Sequence, residues 1–170
     1  MSPQNLISST VGEELRKSNA KTSKVIGIAL KDRGAVLPVG HQANAAYWFD
    51  GSSGNWITST YYMKELPIWV TEFNKKELAK KYLSQQWTTL LPIDNYTESD
   101  ADDNTCEELF KGTERPVFPY DLPSLMKTNG ELGLIRSTPF GNSFTKDFAI
   151  EKIKNENLGK GSATDFLCIS

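Results

Sequence analysis

Histidine, cysteine and long apolar runs are what this chain has least of. His41 is the only histidine among 170 residues. Metal centres draw on clusters of His, Cys, Asp and Glu. A lone histidine in the turn Pro38-Val-Gly-His41 therefore reads as a structural or solvated side chain. The same scarcity removes a Ser-His-Asp triad unless His41 is its base, and no nucleophile elbow supports one. Two cysteines, Cys106 and Cys168, do not define a disulfide scaffold. Cys168 falls in an apolar run and reads as a small buried hydrophobe. No apolar run approaches the ~20 residues that span a bilayer. The N-terminal MSPQNLISSTVG has neither the charged region nor the apolar core of a signal peptide. A net charge of −2 and the absence of a basic stretch argue against nucleic acid and against a membrane surface. Neither a P-loop nor a dinucleotide glycine pattern occurs.

One acidic run, Glu98 to Asn104, looks at first like a calcium loop. With Asp100 as first ligand, the sixth position is Thr105 where a glycine is required, and the twelfth is Lys111 where a glutamate is required. A solvated acidic loop is the better reading.

What is present is an α/β pattern. Thr10 to Glu13 fits a capping box opening a short helix, with Val11 and Leu15 on one face. The run Val25 to Leu30 is continuously apolar, as in a strand of a parallel sheet buried on both faces. Ala45–Asp50 and Asn55–Thr60, separated by Gly51-Ser-Ser-Gly54, predict a hairpin. Its aromatics read as the hairpin's own packing core before they read as a binding face. Glu65 to Tyr82 predicts a helix entered at Pro67. Trp87–Leu91 and Gly133–Ile135 predict brief strands, and Pro92 to Gly130 is mostly irregular, as in a functional cap loop or a poorly ordered segment. Asn142 predicts the cap of a helix from Ser143 to Asn155, with Phe144 and Phe148 on one stripe and Ile150 and Ile153 on another. Asp165–Ser170 predicts a final apolar strand.

The sharpest chemical signal is Lys31-Asp-Arg33-Gly34, immediately after the buried strand. Open α/β sheets bind ligands beyond the carboxyl ends of their strands. If the extended backbone persists, Lys31 and Arg33 share strand parity and face one crevice. A point-charge lysine beside a forked guanidinium suits a phosphate group; the alternative is a strand ending in solvated charges.

SKVIGIALKDRGAVLPVGH, AAYWFD, ITSTYYMKELPIWVTEFN, WTTLLPI, GLIRSTPFGN and TDFLCIS, in that order, resemble bacterial alkaline phosphatases of the type I phosphodiesterase/nucleotide pyrophosphatase branch. The resemblance implies an internal piece of a longer, periplasmic or secreted, zinc-dependent phosphate monoester hydrolase. It implies a partial core sheet with helices plus an inserted cap containing the hairpin, divided as core 1–33, cap 34–135 and core 136–170. Lys31 and Arg33 match the family pair that contacts phosphate oxygens. The nucleophile and the ligands of two zinc ions would lie outside this chain, so the 170 residues alone would be inactive. A small-molecule phosphate ester is the implied partner, and the cut sheet edges would favour a dimer of the piece. The alternatives are a phosphodiesterase or nucleotide pyrophosphatase, and a non-catalytic α/β module that holds a partner on the aromatic hairpin.

Overall fold

The computed structural model describes residues 1–170. Its centre is a four-stranded sheet containing β1 (Val25–Ala29), β2 (Ala45–Asp50), β3 (Asn55–Ile57) and β6 (Phe166–Ile169), in the order β3-β2-β1-β6. β1 runs parallel to both β2 and β6, while β2 and β3 form an antiparallel hairpin. All five residues of β1 are buried. That is the expected state of a β-branched, small-residue run in a sheet covered on both faces. Two short strands, β4 (Gln86–Trp87) and β5 (Tyr120–Asp121), make a separate antiparallel pair.

The two faces of the sheet carry different cores. One holds Val25, Ala29, Ala46 and Trp48 against α2 (Asp32–Val36). Here α2 crosses β1 so closely that a Cβ at Gly27 would lie 2.0 Å from the Ala35 carbonyl oxygen. Only a glycine lets backbone meet backbone at that point. The other face holds Ile26, Ile28, Tyr47 and Phe49 against Phe144 and Phe148 of α6 (Phe140–Asn155). Trp56 stacks on Phe148 at 4.3 Å between ring centroids.

α1 (Val11–Ser18) is capped as the sequence predicts, with the Thr10 hydroxyl accepting from the Glu13 amide and the Glu13 carboxylate accepting from the Thr10 amide. The predicted apolar face is not buried, since Val11 is 73% exposed. The buried residues of α1 are Gly12 and Glu13. The Glu13 carboxylate also accepts from the amides of His41 (2.6 Å) and Gln42 (3.3 Å), and faces the His41 Nδ1 at 3.0 Å. His41 is thus a structural partner of Glu13. Burial alone would push the Glu13 carboxyl up, but the hydrogen bonds from Thr10 and His41 outweigh it and hold the pKa below 4.5. A depressed carboxylate contributes stability above its unfolded pKa, and the contribution is lost as pH falls through the folded value. Glu13→Gln is expected to cost about 1–3 kcal/mol at neutral pH and to flatten the loss of stability below about pH 4, by urea unfolding.

Several elements depart from the sequence expectation. The predicted Glu65–Tyr82 helix is two helices, α3 (Ile68–Asn74) and α4 (Leu78–Leu83). Asn74 ends the first by pairing its side chain with both the amide and the carbonyl of Trp56, each at 2.9 Å. The chain then turns through Glu77 at φ +47. Gly133–Ile135 is not a strand but part of a 3-10 helix over Glu131–Ser137, entered through left-handed Gly130. α6 starts at Phe140, three residues before the predicted start, because Pro139 supplies the helical φ. Asn142 therefore lies inside the first turn. The segment 92–130 is largely exposed and irregular as expected, except for a 3-10 turn at Ile93–Asn95, β5 and α5 (Leu122–Met126). The predicted hairpin forms, but it is built into the main sheet beside β1 and not into a separate cap. The reason is its sequence: Ala45 to Phe49 are all buried, so β2 needs cover on both faces.

Lys152 of α6 is 2% exposed. Its ammonium lies 3.0 Å from the Glu156 carboxylate, 3.4 Å from the Tyr47 hydroxyl, and over the Tyr47 and Trp69 rings. Burial pushes its pKa down from 10.5, partly offset by Glu156. The unfolded chain therefore holds this proton more tightly than the folded one, and stability rises with pH between the folded value and 10.5. Comparing unfolding midpoints at about pH 8 and pH 10 should show this gain in the wild type and its absence in Lys152→Met.

Candidate functional site

Because β1, β2 and β6 are parallel, their carboxyl ends share one edge of the sheet. A crevice of about 650 Å³ opens at that edge beside β1, β6 and α6. Ala29, Leu30 and Lys31 line it from β1 and its extension, and Ile169 and Ser170 from β6. Arg136 enters from the 3-10 helix, and Asn142 and Lys146 from α6. Three of the lining residues are cationic and none is acidic. Lys146 has only a loose contact with Asp147, at 3.6 Å. Six of the thirteen lining residues are apolar; three cationic side chains with no acidic side chain among them, at strand carboxyl ends, could attract an anion.

Lys31 is where the sequence places it. Arg33 is not among the lining residues. The strand-parity argument fails because extended backbone stops at Lys31, at φ −107 and ψ 139, and α2 begins at Asp32. Residues two apart on a helical turn do not share a face. The Asp32 carboxylate accepts from the Arg33 amide at 2.8 Å, which steadies this turn. Both Lys31 and Arg33 are exposed, neither forms an ion pair, and both leave the chain within four residues of the end of β1.

Arg136 was not legible in the sequence as a site residue. It sits in a segment read as the end of a strand and the start of a turn, and only the fold brings it to the crevice. Its Nη2 donates to the Phe49 carbonyl at 2.6 Å and its Nε to the Leu30 carbonyl at 3.3 Å. Lys146 and Asn142 were likewise hidden, since their face of α6 depends on where that helix begins.

Metal chemistry has no ligand set among these residues. No group of three or more His, Cys, Asp or Glu could hold an ion. Asp103 of the acidic loop pairs with Arg115, and Asp102 accepts from the Phe118 amide. Both cysteines are free thiols. The residues of this chain offer no set that could hold the two zinc ions whose ligands the resemblance places outside it. No helix is long and apolar enough to cross a membrane.

The sheet and the crevice at its carboxyl edge define an α/β segment, and comparison with known proteins narrows its family. No protein-family model matches the chain. It is 48% identical to alkaline phosphatase PhoV of Synechococcus elongatus over 170 residues, and 45% identical to alkaline phosphatase PafA of Elizabethkingia meningoseptica. It is also 56% identical to a protein of Myroides odoratus named calcium-transporting ATPase. Each alignment covers at least 99% of this chain but only 30–31% of the relative, so the chain spans about a third of their length. The crystal structure of wild-type PafA superposes with a TM-score of 0.91 over 99% of this chain and 32% of that one. A second PafA structure, with a TM-score of 0.91, carries replacements of a threonine, an asparagine, a lysine and an arginine, the last two being two positions apart. By sequence and by fold, the chain is a homologue of these bacterial alkaline phosphatases over the third that it shares with them.

Proposed function

We propose that this chain is part of a phosphate monoester hydrolase and supplies it with the Lys31 and Arg33 contacts to the phosphoryl oxygens. The observation that carries the reading is the crevice at the carboxyl ends of β1 and β6, whose charged side chains are all cationic, with Lys31 in its wall. It is supported by the lysine and arginine replaced together in a PafA variant, at the spacing of Lys31 and Arg33. Both groups would oppose the negative charge that develops on the oxygens as the phosphoryl group transfers. A dianionic monoester gains more from two cations than a monoanionic diester, so the pair favours monoesterase action. The nucleophile and the metal ligands would come from other parts of the parent enzyme, whose compartment would be periplasmic or extracellular. The 170 residues alone would be inactive.

Residues 34–135 would contribute the cover of this site through the exposed segment around β4 and β5, while their hairpin belongs to the sheet. β6 is an edge strand, and Ile150, Ile153 and Ile169 beside it are 41–51% exposed. Two copies of the isolated chain would pair there. The ATPase name of the Myroides odoratus relative adds ATP to the substrate panel, since a triphosphate also presents phosphoryl oxygens to these cations. The test is hydrolysis of p-nitrophenyl phosphate, bis(p-nitrophenyl) phosphate and ATP by the parent enzyme. The highest kcat/KM should fall on the monoester. A clear preference for the diester would favour a phosphodiesterase instead.

A further inference from the structure

The parallel ladder between β1 and β2 ends at the pair Ala29–Trp48. One rung further on, Leu30 and Phe49 no longer pair with each other. Arg136 takes that rung over: its Nη2 donates to the Phe49 carbonyl at 2.6 Å and its Nε to the Leu30 carbonyl at 3.3 Å. The guanidinium lies over the Phe49 ring at 5.2 Å. A Cβ at Gly51 would come within 2.9 Å of its Nη1, so the hairpin turn closes around it. The Leu30 carbonyl belongs to the peptide plane that delivers the Lys31 amide. The Lys31 carbonyl is held in turn by the Ala35 amide at 3.3 Å. The backbone on both sides of Lys31 is thereby fixed, on one side by a side chain 106 residues away in sequence.

We infer that Arg136 is a positioning residue for Lys31. It clamps the frayed ends of β1 and β2 so that the lysine leaves the sheet toward the crevice at a set angle. This rests on the phosphate-contact reading above. A fork with several fixed donors can bridge two carbonyls on neighbouring strands, whereas a lysine offers a single mobile centre. Small misplacements of a charged contact from the transferred group cost rate steeply. Arg136 therefore acts on the reaction through Lys31 and need not touch the substrate.

The experiment is a double-mutant cycle in the parent enzyme, with Arg136→Ala and Lys31→Ala singly and together. It is read as kcat/KM for p-nitrophenyl phosphate and for a p-nitrophenyl diester, with Arg136→Lys as a second variant. Arg136→Ala should lower the monoester value by about ten- to a hundredfold, and the diester value less. In the Lys31→Ala background the same change should cost less than about threefold, because there is no lysine left to position. Arg136→Lys should fail to rescue, since it keeps the charge and loses the fork. Equal losses in both backgrounds, equal losses on both substrates, or full rescue by lysine would overturn the inference. If Lys31→Ala itself leaves monoester turnover unchanged, the phosphate-contact reading fails and Arg136 falls with it. A large Lys31→Ala effect with an additive Arg136 would remove Arg136 alone.

Discussion

Lys31→Ala in the parent enzyme is expected to lower kcat/KM for p-nitrophenyl phosphate by about 10²–10³, the cost of losing one preorganised charge at a developing oxyanion. The size follows from the setting. Lys31 lies in a crevice lined by no acidic side chain and forms no ion pair, so no side chain neutralises its charge. The flanking backbone is fixed by Arg136 and by α2. The loss on a diester should be smaller, because a monoanion returns less to each cation. Comparable losses on both substrate classes would show that Lys31 supports binding or folding in general and does not set the monoester preference.

The largest stability effect is expected inside the aromatic core. Phe148 is fully buried, stacks on Trp56 at 4.3 Å, and meets Tyr47, Trp69 and Phe73 within 5.5 Å. Rings from β2, β3 and α3 thus converge on one side chain of α6. Phe148→Ala should cost about 3–5 kcal/mol, because a cavity among rigid aromatic rings cannot collapse. Urea unfolding gives the value. Val11→Ala is the control. Its side chain is 73% exposed, so its change should stay within about 0.5 kcal/mol. A cost below about 1 kcal/mol for Phe148→Ala would mean that the sheet and α6 do not share this core.

The parts of the fold that were legible were those where local chemistry decides. The Thr10–Glu13 capping box needs only residues three apart. The buried run at β1 and the glycine-turned hairpin carry their own burial pattern, and Gly54 adopts the positive φ the turn needs. What was misread depended on distant partners. The break between α3 and α4 is made by Asn74 reaching Trp56, 18 residues back. The short apolar run Gly133–Ile135 is compatible with either a strand or a helical turn, and the core decides between them. The family resemblance places the hairpin in a cap, whereas parallel pairing of β2 with β1 builds it into the main sheet. The site divides in the same way. Lys31 was legible because it follows a buried strand directly. Arg136 and Lys146 were not, because nothing near them in sequence marks an anion site. The geometric argument for Arg33 assumed a strand that continues, and the chain turns into α2 one residue too soon.

The family role of Arg33 comes from a matching motif, while the structure leaves it outside the crevice lining. The most direct measurement is p-nitrophenyl phosphate hydrolysis by the parent enzyme and by its Arg33→Ala variant under identical conditions. The account predicts an active parent and a fall in kcat/KM of about two orders of magnitude or more in the variant. An active parent with an unchanged variant would contradict the phosphate role of Arg33. An inactive parent would contradict the phosphatase reading itself.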